Sequence, residues 1–195
     1  MVAEPQSFLG HKLVTYEGKL DLIVKTGFGL AESVGAKLWG GTIEARPKYL
    51  SQTALIGNAL IVGGFQGCYS GDPIFTGPER TYREPFEEDG ETSLQAFVKY
   101  GANVRLDYLS LWTQAPTAGG IRGELVDRSA ARDDEQAAQI RTASNLAAFS
   151  HLVNRYPGIV SLGIDSDRGT MELKYADLGN VRIPRGIVET QFGQL

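Results

Sequence analysis

Apolar and polar positions alternate in short runs through much of the chain, and glycine and proline break the runs. Segment 13–16 (Leu-Val-Thr-Tyr) and segment 20–24 (Leu-Asp-Leu-Ile-Val) have the two-residue period of half-buried strands, and Glu17-Gly18-Lys19 between them reads as a tight turn. Segments 36–39 and 42–45 repeat that arrangement around Gly40-Gly41, a second turn or bulge signal. The stretch ALIGNALIVGG at 54–64 is apolar almost throughout. Its Gly57-Asn58 pair permits a hairpin, and its pattern fits a buried helical turn as well.

Strand character returns at 94–100, 104–113, 121–126, 159–164, 170–175, 181–183 and 186–192, with Pro184 limiting the last ladder. One segment has a different period. Between 132 and 156 the apolar residues Ile140, Ala143, Leu146, Phe149, Val153 and Tyr156 recur at three- and four-residue steps, which predicts one amphipathic helix. Asp133 and Gln136 resemble a capping box at its start, and Pro157-Gly158 stops it. The expected fold is mainly β (a β-rich α+β class), a β-sandwich or partly open barrel with one helix at about 132–156 before the last strands. Residues 1–195 form a single domain in this reading, a length sufficient to bury a real core.

Residues 66–93 depart from the rhythm, because Gly67, Gly71, Gly77 and Gly90 alternate with Pro73, Pro78 and Pro85. A loop of that length is uncommon in a compact domain, so the segment reads as an arm that docks on a surface. Arg80, Tyr82, Arg83, Phe86, Glu87 and Glu88 are its candidate partner-binding residues. Arg and aromatic side chains are enriched at interfaces, and the acidic run from Glu84 to Glu91 suits a basic partner.

Composition narrows the function. The chain has 19 Lys and Arg against 23 Asp and Glu, a formal net charge of −4, and no basic cluster. Direct nucleic-acid binding, which rests on cations neutralising phosphates, is not expected. No apolar run approaches the roughly 20 residues of a membrane span, and the N-terminal MVAEPQSFLGHK has no basic-then-apolar signal pattern. A lone Cys68 fits a reducing compartment, so the expected location is the cytoplasm or a particle assembled there.

Chemical motifs are weak. Asp165 and Asp167 begin a calcium-loop pattern, but the position of its closing glutamate holds Ala176, and Asx residues before Gly169 are ordinary hairpin chemistry. Gly27-Phe28-Gly29 opens like a dinucleotide fingerprint, yet Glu32 stands at the third glycine, so a loop glycine is the better reading. Cys68, His11 and His151 have no nucleophile or metal-ligand spacing. No catalytic set, metal or cofactor is therefore expected.

The leading expectation is a non-enzymatic structural or assembly subunit, such as a phage virion or tail component. It would form a homo-oligomer, or dock on other assembly proteins, through the arm and strand edges. The alternative is a small-molecule-binding barrel lined by Leu22, Val24, Phe97, Leu109 and Leu111. A third reading is a hydrolase whose fold gathers carboxylates from Asp107, Asp127, Asp165, Asp167 and Glu172.

Overall fold

The computed structural model of the protein describes residues 7–8, 11–12, 16–42, 50–62, 64–76, 88–110, 134–164 and 171–193. Among them the elements run β1 (Ser7–Phe8), β2 (His11–Lys12), α1 (Leu20–Ser33), β3 (Leu38–Thr42), β4 (Thr53–Gly57), β5 (Gln66–Cys68), α2 (Pro73–Thr76) and α3 (Glu88–Tyr100). They continue with β6 (Asn103–Ser110), α4 (Asp134–Arg155), β7 (Val160–Ile164), β8 (Met171–Tyr175), β9 (Val181–Pro184) and α5 (Arg185–Phe192). Five strands make a mixed sheet in the order β5-β3-β6-β4-β9. Its two central neighbours β3 and β6 are parallel, and every other pairing is antiparallel.

Alternation along the strands feeds two cores. Trp39, Ala54, Val104 and Leu106 join Ile23, Leu30 and Ala31 of α1 and Val188 of α5 on one face. Leu38 and Leu55, each next in sequence to a residue of that first set, point the other way and meet Ile74 and Phe75 of α2 and Ala96 of α3. A third cluster joins Leu94 of α3 to Leu152, Tyr156 and Val160, which anchors α4 and the β7–β8 hairpin. Each large side chain withdrawn from water in these clusters contributes about 1.5–3 kcal/mol before conformational entropy is counted.

The β-rich α+β class holds at this level, but the described residues do not form the expected sandwich or partly open barrel. The sheet is open, with β5 and β9 as its edges, and helices pack where a second sheet would lie. The difference comes from three segments read as strands. Residues 20–24 belong to α1, 94–100 to α3 and 186–192 to α5. In α1 the buried residues Ile23, Thr26, Gly27, Leu30 and Ala31 follow a helical period, which a five-residue window cannot resolve. With Leu22 and Val24 on a helix, the described residues enclose no barrel interior between them and Leu109, and Leu111 lies outside the described residues.

Of the turn or bulge expected at Gly40-Gly41, the structure has the bulge: both glycines lie inside β3 and the register shifts between Gly41 and Thr42. A Cβ on Gly40 would come within 2.7 Å of the Phe65 carbonyl oxygen, so backbone approach explains the glycine there. Gly27 and Gly29 are helical rather than loop residues. A Cβ on Gly27 would overlap the Trp39 ring, and one on Gly29 would sit 2.7 Å from the Phe192 ring.

The helix expected at 132–156 is present as α4, but its buried side is displaced from the expected stripe. Ala148, Phe149, Leu152 and the following Tyr156 are buried, while Ala143 and Leu146 are exposed. Asp133 of the expected capping box lies outside the described residues. Of the segment 66–93, residues 66–68 form β5, Pro73–Thr76 is a helical turn with Ile74 and Phe75 in the core, and Glu88 opens α3.

Candidate functional site

Strand β6 carries polar residues at alternate positions on the face opposite Val104 and Leu106. Asn103 donates through Nδ2 to the carbonyls of Ala59 and Ser93, at 3.0 and 2.8 Å. Ser93 in turn accepts from the Ile61 N–H at 2.9 Å and donates to the Ile61 carbonyl. These bonds hold the segment after β4 against α3.

Further along β6 the chemistry changes. Asp107 is buried, and both its oxygens are taken by cations: Arg105 Nε donates to Oδ1 at 2.6 Å and Arg182 Nη1 to Oδ2 at 2.9 Å. The pairing register aligns Arg105, Leu55 and Arg182 across β6, β4 and β9. Arg182 Nη1 also reaches Thr53 Oγ1 at 3.3 Å, and Thr53 shares a 2.8 Å hydrogen bond with Ser51. The Ser51 N–H donates to the Asp107 carbonyl at 3.0 Å, closing the cluster at the carboxyl end of β6. Sequence reading named Asp107 only as a candidate carboxylate and missed its two arginine partners, although Arg105-x-Asp107 inside an apolar strand is a visible anomaly.

A second feature is an open groove of about 620 Å³ between α3 and the end of α4, lined by Ile74, Gln95, Val98, Lys99, Arg155 and Ile159 among others. Its cations have acidic partners: Arg155 pairs with the buried Glu91, and Lys99 lies 3.6 Å from Asp72. Burial alone pushes the Asp72 carboxyl upward. The Tyr100 hydroxyl, the Ile74 N–H and Lys99 outweigh that and hold it below its ordinary value. Burial, and then the hydrogen bond to Asp72, pushes the Tyr100 phenol up.

The third feature is the β7–β8 hairpin. Val160, Leu162 and Ile164 share one face of β7, opposite Tyr175, Leu173 and Met171 of β8. Exposure rises along that face from 3% at Val160 to 41% at Leu162 and 65% at Ile164. Ser161 and Gly163, paired with Lys174 and Glu172, make the other face. The ribbon is thus amphipathic, and among the described residues its apolar side is covered only at the base.

Of the expected partner-binding residues, Arg80, Tyr82, Arg83, Phe86 and Glu87 lie outside the described residues, and Glu88 is the first residue of α3. Asp127, Asp165 and Asp167 also lie outside them. Of the remaining carboxylates, Asp107 is on the five-stranded sheet and Glu172 on the hairpin. Cys68 lies half-buried against the α2–α3 core, and His151 is half-buried with a buried Nε2. Among the described residues no three His, Cys, Asp or Glu gather as a metal site, and no helix is long and apolar enough to cross a membrane. These residues define an open mixed sheet flanked by helices, with an amphipathic hairpin attached. No protein-family model, curated protein or solved structure matches the chain.

Proposed function

We propose that this chain is a non-enzymatic assembly subunit whose copies associate through the apolar face of the β7–β8 hairpin. The rise in exposure from Val160 to Ile164 along one face carries the reading. A two-stranded ribbon is marginal in water by itself, and an apolar face left open at its outer half gains most from a second surface. A second copy of the same ribbon meets that need, because a two-fold contact places the same patch on both partners. The arm near 77–87 is an additional contact in this reading, with Arg80, Tyr82, Arg83 and Phe86 as its contact side chains.

Replacing Ile164 with Lys tests the proposal. Self-association should disappear while the circular dichroism spectrum and thermal midpoint stay near those of the wild type. An Ile164→Lys protein that associates as the wild type does would rule the hairpin out as the connector. The groove between α3 and α4 favours a second reading, binding of a small apolar molecule beside Ile74, Val98 and Ile159.

A further inference from the structure

The Asp107 cluster has more positive charge than its buried carboxylate needs. Two guanidinium groups face one carboxylate, which leaves one positive charge over. Arg105 uses Nε for Asp107 and Nη1 for the Leu60 carbonyl at 3.5 Å. Arg182 uses only Nη1, for Asp107 and Thr53. Among the described residues, Arg105 Nη2 and Arg182 Nε and Nη2 have no acceptor. The Arg182 side chain is 55% exposed, so solvent reaches this edge of the cluster. If neutralising Asp107 were the whole role, the mostly buried Arg105 would suffice, and a long side chain from β9 would gain little by lying across the sheet.

We propose that Arg105 and Arg182, held in place by Asp107, bind a tetrahedral oxyanion of the phosphate class, with one neutral donor from the Ser51–Thr53 pair, the hydroxyl whose proton the other does not take. Guanidinium groups match phosphate oxygens through paired N–H bonds. Fixing both side chains on one carboxylate removes much of the ordering cost that an anion would otherwise meet. The donors come from β6, β9 and the start of β4, three neighbouring strands of one sheet, and the register places them on one face. The site is independent of the hairpin and extends beyond the assembly role.

The experiment is a thermal-shift titration of the full chain with inorganic phosphate, and in parallel with glycerol phosphate, at constant ionic strength. Sodium acetate and sodium chloride serve as controls. Phosphate should raise the midpoint saturably where acetate and chloride do not. Tighter binding of the monoester would identify the phosphate end of a larger molecule as the natural ligand, and tighter binding of inorganic phosphate would identify the free ion. Arg182→Gln should raise the half-saturating concentration at least tenfold. Arg182→Lys, which keeps the charge and the contact to Asp107, should raise it severalfold. Ile164→Lys should leave it unchanged, so failure here is distinct from failure of the assembly proposal. The inference is overturned if no saturable phosphate effect exists or if acetate matches phosphate. It is equally overturned if Arg182→Lys binds phosphate as the wild type does, a result that stands even where Arg182→Gln fails to fold.

Discussion

Gly27 and Gly29 stand in the middle of α1, where alanine would favour the helix by up to about 1 kcal/mol per site. Trp39 and Phe192 occupy the space their side chains would fill, so packing decides the residue type. Gly27→Ala is expected to destabilise the protein by about 1–3 kcal/mol through overpacking. Gly186→Ala in α5, where a Cβ meets nothing within 4 Å, should be neutral or stabilise by up to about 1 kcal/mol. Urea denaturation of the two variants separates these outcomes.

Tyr108 gives a second test at this scale. Its hydroxyl is buried and has no hydrogen-bond partner among the described residues, and burial, despite nearby Arg185, pushes the phenol well above its ordinary 10.0. A phenol whose folded value is raised contributes stability fully below the unfolded value and loses it as pH rises toward the folded one. Stability should therefore fall above about pH 10, and Tyr108→Phe should flatten that alkaline limb. Near neutral pH the same substitution should be neutral or stabilise by about 1 kcal/mol, because an unsatisfied buried hydroxyl is removed. Asp72 acts in the opposite direction. Its lowered carboxyl contributes stability above the unfolded value near 3.8 and loses it as pH falls further, a dependence that Asp72→Asn should weaken.

At the scale of elements, α3 and α4 are clasped by Glu91 and Arg155, over the apolar contact of Leu94 with Leu152 and Tyr156. Arg155→Met leaves the carboxylate of Glu91 buried without its cation. Loss of one partner of a buried pair costs about 3–5 kcal/mol. Because Arg155 is 39% exposed and water can reach the vacated space, about 2 kcal/mol is expected, measured by chemical denaturation. The clasp also explains why α3 was illegible in the sequence. Glu91, Thr92 and Ser93 are buried polar residues, so they break the apolar stripe by which a helix is recognised. Their partners Arg155 and Ile61 are distant along the chain. The β7–β8 hairpin was legible because its pattern is local: apolar residues alternate on both strands around an Asx- and glycine-rich loop. Helices α1 and α5 were hidden by short windows, and Asp107 could be seen as an anomaly but not assigned its partner Arg182, 75 residues away.

At the scale of the whole molecule, an open sheet covered by helices supplies a stable body, and the hairpin extends from it with its apolar face partly open. The body gains stability from the three clusters, whereas Leu162 and Ile164 add little to it in the monomer. Mutating them should therefore change association without changing the fold. The measurement that tests this most directly is the solution mass by light scattering across protein concentration, for the wild type and Ile164→Lys side by side. The account predicts a wild-type mass that rises above 21.1 kDa with concentration and a variant that stays at that value. A wild type that remains at 21.1 kDa throughout, or a variant whose mass rises equally, would contradict it.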